Sequence, residues 1–140
     1  MNNHIDAYGY TYIPNKIFYS LTISDTNITQ YAMCLHILFR TYGKDLNAAP
    51  ISINEFARIK DDDPAEIREE LQQLIDKRIV LCLEVKPGNI EFYKINPDIT
   101  QWNDKNLQNI YGTDMWRKLL SGQPIEKEEY IRQVGISSEE

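Results

Sequence analysis

Residues 51–95 constrain the fold of this chain more than any other stretch, because their residue patterns change in a fixed order. Residues 51–53 are a short β-type segment, and two helical patterns separated by a polar turn follow it. The apolar and β-branched run at 79–85 has the length of a strand, as does the run at 90–95. Pro, Gly and Asn at 87–89 supply a turn between these two runs. The stretch therefore predicts a strand, a helix, a turn, a second helix and a β-hairpin.

The two predicted helices carry recognisable start signals. Ser52 and Asn54 are both suited to cap the first helix. Its apolar residues are Phe56, Ala57 and Ile59. Asp63 and Pro64 are typical N-cap and first-turn residues of the second helix, and Glu66 has the spacing of a capping box. One apolar face of the second helix is formed by Ile67, Leu71, Leu74 and Ile75.

This order of elements is that of a winged helix-turn-helix. Its two helices meet at a short turn, and the hairpin that follows them forms the wing. We therefore predict an α+β fold that is mainly α, with a β-wing of two to three strands and a short helical C-terminal extension.

A longer helix is predicted upstream, over residues 28–42. Three residues of N-cap type precede it, namely Asp25, Thr26 and Asn27. Apolar residues spaced by three and four predict a buried face formed by Ile28, Tyr31, Ala32, Leu35, Leu38, Phe39 and Tyr42. Gly43 is a natural residue to end this helix, and His36 lies off the predicted buried face.

The remaining segments complete a chain with one globular domain. We predict a flexible arm at residues 1–8, the winged-helix domain over residues 9–102, and a linker with a short helical tail over residues 103–140. The end of the tail is expected to be disordered. Ile99 and Trp102 are expected to fold back onto the core.

The charge balance bears on the partner. The formal net charge is −6 and the sequence pI is about 4.9. Residues 54–78, which contain both helices of the helix-turn-helix, hold eight acidic and five basic residues. A nucleic-acid-binding domain usually presents a basic face, so the bulk charge of this chain opposes a phosphate backbone instead of attracting it.

Catalytic and cofactor motifs are absent from the sequence. It contains no GxSxG, P-loop, HExxH or glycine-rich phosphate loop. The run Asp61-Asp62-Asp63 lacks the alternating ligands and central glycine of a calcium loop, and fits a solvated capping turn. Cys34 and Cys82 are expected to be buried free thiols. We therefore predict no enzyme activity, no cofactor and no metal site.

Several motifs, taken in order, resemble the amino-terminal winged-helix domain of phage replication initiators of the O-protein type. The resemblance covers roughly residues 9–102 and is carried by GYTYIPNKIFYSL, QYAMCLHILFRTYG, ISINEFARI, ELQQLIDKRIV and KINPDITQW. It implies a DNA-binding module that acts at a replication origin, can work as a dimer, and belongs to a protein that recruits a replicative helicase. The chain departs from the family at the start of the second helix, where KDDDPAE replaces a glycine and a hydroxyl-rich or basic run.

Two functional hypotheses follow. In the first, the chain is a non-catalytic DNA-binding protein of phage or mobile-element type that acts in replication initiation or its control. Double-stranded DNA would be contacted by Arg58, Lys60, Arg68, Lys86, Asn89 and Lys94. In the second, the winged helix is a protein-interaction module that docks on a replication or transcription protein. The acidic contact residues would be Asp62, Asp63, Glu66, Glu69 and Glu70.

A homodimer is consistent with either hypothesis. The aromatic amino-terminal segment and the helical pattern around Trp116, Leu119 and Leu120 are the two candidate surfaces. No stretch reaches the roughly 20 apolar residues that span a bilayer, and no signal peptide is recognisable. We therefore expect a cytoplasmic protein with no membrane association.

Overall fold

A mainly helical domain surrounds a small antiparallel sheet in this computed structural model, which describes residues 5–6, 9–85, 90–121 and 127–135. Side chains are described for all of these except eleven residues within helices and strands, at positions 5, 6, 84, 85, 90, 115, 119, 129, 130, 133 and 134. The element order and strand pairing set out below are those of a winged helix-turn-helix, which confirms the predicted fold class.

The helix-turn-helix consists of α3, Ile53–Lys60, and α4, Pro64–Asp76. Ser52 caps α3 by accepting a hydrogen bond from the Glu55 N–H (3.0 Å). Asp63 caps α4, as predicted. The predicted capping box with Glu66 is wrong, because the Asp63 N–H donates to Asp62 Oδ1 (2.8 Å) instead.

A three-stranded antiparallel sheet forms the wing. It consists of β3, Ala49–Pro50, β4, Val80–Val85, and β5, Ile90–Ile95, in the order β3-β5-β4. The strand predicted at 51–53 lies at Ala49–Pro50 instead, because Ser52 caps α3 and Ile53 begins that helix. The predicted turn at 87–89 lies outside the described residues.

Two helices precede the helix-turn-helix in the chain, and the second of them packs against it. They are α1, Asn15–Ile23, and α2, Ile28–Thr41. Asn27 caps α2 in a full capping box with Gln30, so the N-cap is the last of the three predicted candidates.

The buried face predicted for α2 is wrong. The residues that face the core are Gln30, Met33, Cys34, Ile37, Leu38 and Thr41. Only Leu38 of the predicted set is among them, and Ile28, Leu35 and Phe39 are exposed. The helix carries apolar residues on two opposite faces, and spacing alone selected the solvent-facing one.

The predicted arm contains a strand. β1, Ile5–Asp6, pairs in antiparallel fashion with β2, Tyr10–Thr11, and this hairpin lies at the C-terminal end of α2. Gly43 permits that approach, because a Cβ there would meet Thr11 Oγ1 at 2.8 Å. Gly43 lies in a 3-10 turn, Tyr42–Lys44, and the left-handed residue that follows the turn is Asp45 (φ 56°). Because α2 ends at Thr41 with Tyr42 as its C-cap, Gly43 is the residue that follows the helix end, as predicted.

The segment assigned by the sequence to a linker begins with a helix. α5, Lys105–Ile110, is capped by the fully buried Asp104 and buries Leu107 in the core. Ile99 and Trp102 also pack in the core, as predicted. The Trp102 Nε1–H donates to the Asn96 carbonyl (2.9 Å). Two further helices follow, α6, Asp114–Ser121, and α7, Lys127–Val134.

The two cysteines differ in exposure. Cys34 is buried, as predicted, whereas Cys82 is exposed, so that part of the prediction is wrong. Cys82 lies at the middle of β4 and lines an open groove between this strand and α4. Within the described residues, no helix combines the length and the apolar content needed to cross a membrane.

Candidate nucleic-acid interface

The first helix of the helix-turn-helix is fixed to α2 by a polar cluster around Glu55. Glu55 Oε2 lies 2.6 Å from His36 Nε2 and is also bonded to Arg40. Arg40 donates a second hydrogen bond to the Pro50 carbonyl (2.9 Å), which brings β3 into the same cluster. Burial tends to raise the pKa of Glu55, but hydrogen bonds and charge from Arg40 and His36 outweigh it and lower that pKa.

The second helix is fixed to α2 by two side-chain pairs. Gln30 Nε2–H donates to Gln73 Oε1 (2.9 Å), and Asn27 Nδ2–H donates to Glu70 Oε2 (2.9 Å). Sequence reasoning did not find these pairs or the Glu55 cluster, because each joins residues far apart in the chain.

Three of the predicted DNA-contacting cations lie in the helix-turn-helix. Arg58 and Lys60 are in the last turn of α3, next to the turn into α4. Arg68 is exposed on the second turn of α4 and lines a groove of about 460 Å³ between that helix and the wing. None of these three cations makes an ion pair with another residue in the described part of the chain.

The structure separates Lys94 from this group. Side chains alternate along a strand, so Lys94 lies on the face of β5 opposite to Tyr93. Tyr93 lines the groove that contains Arg68, whereas Lys94 lines a second groove with Pro14 and Tyr42. Lys86 and Asn89 lie outside the described residues, so their positions relative to Arg68 stay predictions.

The groove beside Arg68 has an acidic wall. The Tyr93 hydroxyl donates to Glu91 Oε2 (2.8 Å), and both residues line the groove together with the exposed Cys82. Burial and the neighbouring Glu91 carboxylate raise the pKa of Tyr93, so its hydroxyl keeps its proton at neutral pH.

Carboxylates crowd the start of α4. Asp63, Glu66 and Glu69 are exposed, and Asp62 is half-buried. The hydrogen bond with Asp62, the charge of Asp62 and a small desolvation raise the pKa of Glu66, with Asp63 and Glu69 adding to the shift. Glu70 stands apart from this crowd, since its carboxylate is held by Asn27.

No group of three or more metal-ligating side chains is gathered anywhere in the described ranges. The chemical groups that the site offers are therefore three unpaired cations beside a dense set of carboxylates. Such a surface is suited to ionic recognition of a macromolecule. The partner would be anionic if the three cations dominate the contact and cationic if the carboxylates do.

No protein-family model and no curated protein matches the sequence. Among solved structures, the chain is similar to the crystal structure of the reduced form of MarR from E. coli, with a TM-score of 0.41 and 11% sequence identity. The similarity covers 91% of this chain and 96% of that chain. The fold assignment rests on the element order and strand pairing of this chain.

Proposed function

We propose that this chain is a non-catalytic DNA-binding protein of phage or mobile-element type that acts in the initiation of DNA replication or in its control. The observation that carries the proposal is the placement of α4 beside the wing, with Arg68 exposed between them. The second helix of a helix-turn-helix enters the major groove of duplex DNA. The role in replication is supported by the ordered motifs that resemble the O-type initiators.

The proposed contacts divide into two groups. Arg58, Lys60 and Arg68 bind near the turn and the outer face of α4, where no described carboxylate pairs with them. Lys86, Asn89 and Lys94 extend the contact to the phosphate backbone. Phosphate contacts of this kind supply affinity without sequence preference.

The acidic start of α4 limits this affinity. Asp62, Asp63 and Glu66 would lie near phosphates if the N-terminal end of α4 entered the groove. The raised pKa of Glu66 reduces the opposing charge as the pH falls. We therefore expect duplex binding to be weak at neutral pH, to strengthen toward acidic pH, and to weaken steeply with added salt.

The test is fluorescence anisotropy with a labelled mixed-sequence duplex over a range of salt concentrations. The Arg68→Ala variant is expected to bind more weakly and to lower the slope of log affinity against log salt by about 1. Arg117→Ala is the matched control, since Arg117 pairs with Asp114 on the exposed side of α6. If the unaltered protein does not bind the duplex even near ~50 mM salt, where the phosphate term is strong, the proposal is wrong.

A second candidate function is favoured by the carboxylate crowding. In this alternative, the chain is a protein-interaction module whose α4 docks on a basic surface of a replication or transcription protein. Asp62, Asp63, Glu66 and Glu69 would be the contacts, with Glu70 joining them only if it leaves Asn27. Repulsion among these carboxylates would be relieved by a cationic partner.

Charge reversal separates the two functions. Changing Asp62, Glu66 and Glu69 together to Lys is expected to strengthen duplex binding if DNA is the ligand, because three repulsive charges become attractive. The same variant would lose a basic protein partner in a pull-down. A variant that keeps its protein partner contradicts the interaction-module alternative.

A homodimer is proposed with either function. Of the two surfaces expected from the sequence, the α6 surface is already occupied, since Trp116 is buried and packs on Tyr19 with ring centroids 5.4 Å apart. Light scattering at two protein concentrations tests for a dimer, and a monomeric mass at both would exclude it.

A further inference from the structure

A cavity of about 240 Å³ lies between the end of α2 and β5, on the side of the wing that carries Lys94. We propose that this cavity binds a small zwitterion with an aliphatic body, such as a free amino acid. The carboxylate of the ligand would bind Lys94, and its ammonium group would bind Asp45. The cavity, called the Lys94 pocket below, is lined by nine residues: Pro14, Thr41, Tyr42, Asp45, Leu46, Asn47, Lys94, Ile95 and Pro97.

The pocket carries one positive and one negative side chain, Lys94 and Asp45. These two side chains do not form an ion pair with each other. Within the described part of the chain, neither makes a side-chain hydrogen bond or an ion pair with any other residue. Both charges therefore remain available to a ligand in the cavity.

The other polar residues of the pocket add no charge. Burial raises the pKa of the Tyr42 hydroxyl, which therefore keeps its proton at neutral pH. The Thr41 hydroxyl already donates to the Ile37 carbonyl (2.7 Å). The Asn47 amide has no side-chain partner among the described residues, and an amide can bond either charged end of a ligand. The lining as a whole therefore has a formal charge of zero.

The backbone at both charged residues is anchored. Lys94 lies in β5, which pairs with β4 along its full length. Asp45 follows the 3-10 turn in a left-handed conformation (φ 56°), and its N–H donates to the Tyr42 carbonyl (3.4 Å). The next N–H, that of Leu46, donates to the Thr41 carbonyl (2.8 Å). A site that is formed before the ligand arrives binds it at a lower entropic cost.

The two charges select the class of ligand. A simple anion attracted by Lys94 would be repelled by Asp45, and a simple cation attracted by Asp45 would be repelled by Lys94. A neutral molecule would displace water from both charges without replacing its hydrogen bonds, which is costly. A zwitterion supplies a charged hydrogen-bonding partner to each of the two residues.

The apolar lining and the size of the cavity select the body of the ligand. Four apolar residues border the pocket: Pro14, Leu46, Ile95 and Pro97. Leu46 is 47% exposed, so a ligand that covers it removes apolar surface from water. The volume is below the roughly 300–1,000 Å³ of pockets for drug-sized ligands. A single amino acid with an aliphatic side chain, such as leucine, matches this size and chemistry.

The pocket lies apart from the groove beside α4. Lys94 is on the face of β5 opposite to Tyr93, and Tyr93 lines the groove that contains Arg68. Lys94 is the one residue that the pocket shares with the proposed DNA contacts. The inference goes beyond the proposed function. Because its test contains no DNA, each of the two can fail without the other.

The experiment is a nuclear magnetic resonance titration of the isotope-labelled full chain with L-leucine. Saturable shifts are expected for the amide signals of Asp45, Asn47 and Lys94, with a Kd in about the millimolar range or tighter. Isocaproate and isopentylamine keep the aliphatic body of leucine and lack one of its charges. Each should bind at least about tenfold more weakly, because it leaves one charge of the pocket without a partner. Glycine, which lacks the body, should also bind more weakly.

Variants test whether the Lys94 pocket holds the ligand. Lys94→Met and Asp45→Asn each remove one charge and should weaken leucine binding at least about tenfold. Asparagine tolerates the left-handed conformation as aspartate does, so Asp45→Asn is expected to fold. Asp61→Asn is its matched control, since Asp61 is also left-handed (φ 51°) and exposed. Lys105→Met, at an exposed position of α5, is the control for Lys94, and both controls should bind leucine normally.

Three results would overturn the proposal. One is the absence of saturable shifts up to roughly 10 mM leucine. Another is an affinity for isocaproate or isopentylamine equal to that for leucine, since a single charge would then suffice. The third is full leucine affinity in Lys94→Met or Asp45→Asn, with circular dichroism melting used to check that both are folded. The analogue series uses the unaltered protein, so it decides the question even if a variant does not fold.

Discussion

Lys77 Nζ lies 3.4 Å from Oδ2 of Asp104, and this pair joins the end of α4 to the start of α5. The Asp104 carboxylate is fully buried and also accepts hydrogen bonds from the N–H groups of Asp25 (2.8 Å) and Leu107 (3.0 Å). Lys77 in turn donates to the Asp25 carbonyl. These contacts therefore connect three parts of the fold, namely the helix-turn-helix, the turn between α1 and α2, and the C-terminal extension.

Asp104→Ala is expected to destabilise the protein by about 3 kcal/mol, because it leaves two backbone N–H groups and a lysine without their acceptor. Lys77→Met should cost less, since two backbone donors still bind the carboxylate. Urea unfolding measures both changes. Asp114→Ala is the control, because Asp114 forms an exposed pair with Arg117 and should cost no more than about 0.5 kcal/mol. Equal losses for Asp104→Ala and Asp114→Ala would contradict the fastening role.

Glu55 is expected to contribute a pH-dependent part of the stability. Its pKa is lowered in the folded protein from the ordinary value of 4.5. Its contribution is therefore fully present above pH 4.5 and is lost as the pH falls through the lowered folded value. Glu55→Gln should cost about 0.5–1 kcal/mol at neutral pH, a small amount because the carboxylate is partly exposed to solvent. The difference from the unaltered protein should shrink in urea unfolding below pH 4.5.

Glu128→Gln serves as the comparison for that pH series, since Glu128 is exposed on α7. At neutral pH this variant should be less destabilised than Glu55→Gln, because Glu128 takes part in no ion pair among the described residues. A Glu55→Gln difference that grows as the pH falls would show that the Arg40 and His36 contacts do not stabilise the charged carboxylate.

Asp61 connects the two helices of the helix-turn-helix in a left-handed conformation, with φ at 51°. A side chain in this region costs about 1 kcal/mol, which glycine does not pay. Asp61→Gly is therefore expected to raise the free energy of unfolding by up to about 1 kcal/mol. Asp61→Asn removes the same charge but keeps a side chain, so the difference between the two variants isolates the backbone effect. A lower stability for the glycine variant in thermal unfolding would refute this account.

The two thiols should differ sharply in reactivity. Burial raises the pKa of the Cys34 thiol from 9.0 to about 12, whereas Cys82 is exposed on β4. Since the thiolate is the reactive form, an aromatic disulfide reagent should modify Cys82 in the folded protein and Cys34 only after unfolding. Cys82→Ser should abolish the reaction of the folded protein. Rapid release of a second thiol equivalent without denaturant would mean that Cys34 is accessible.

Local signals in the sequence determined the helix-turn-helix and most of the wing. Asp63 followed by Pro64 fixed the start of α4, and the spacing of Ile67, Leu71 and Leu74 fixed its buried face. These features are readable because capping and helical periodicity involve residues within one or two turns of each other. The hairpin pattern around residues 87–89 was equally local, and both of its strands formed as predicted.

Only the tertiary structure decided which face of α2 is buried. That helix has apolar residues on both sides, so its spacing allowed two answers, and packing of Met33 and Ile37 into the core excluded the predicted one. The same holds for the segment after Trp102, which reads as polar but folds because Asp104 meets Lys77 and Leu107 fills the core. Contacts between residues that are distant in sequence have no periodic signal. They determined the buried face of α2 and the ion pair between Lys77 and Asp104, which the sequence left open.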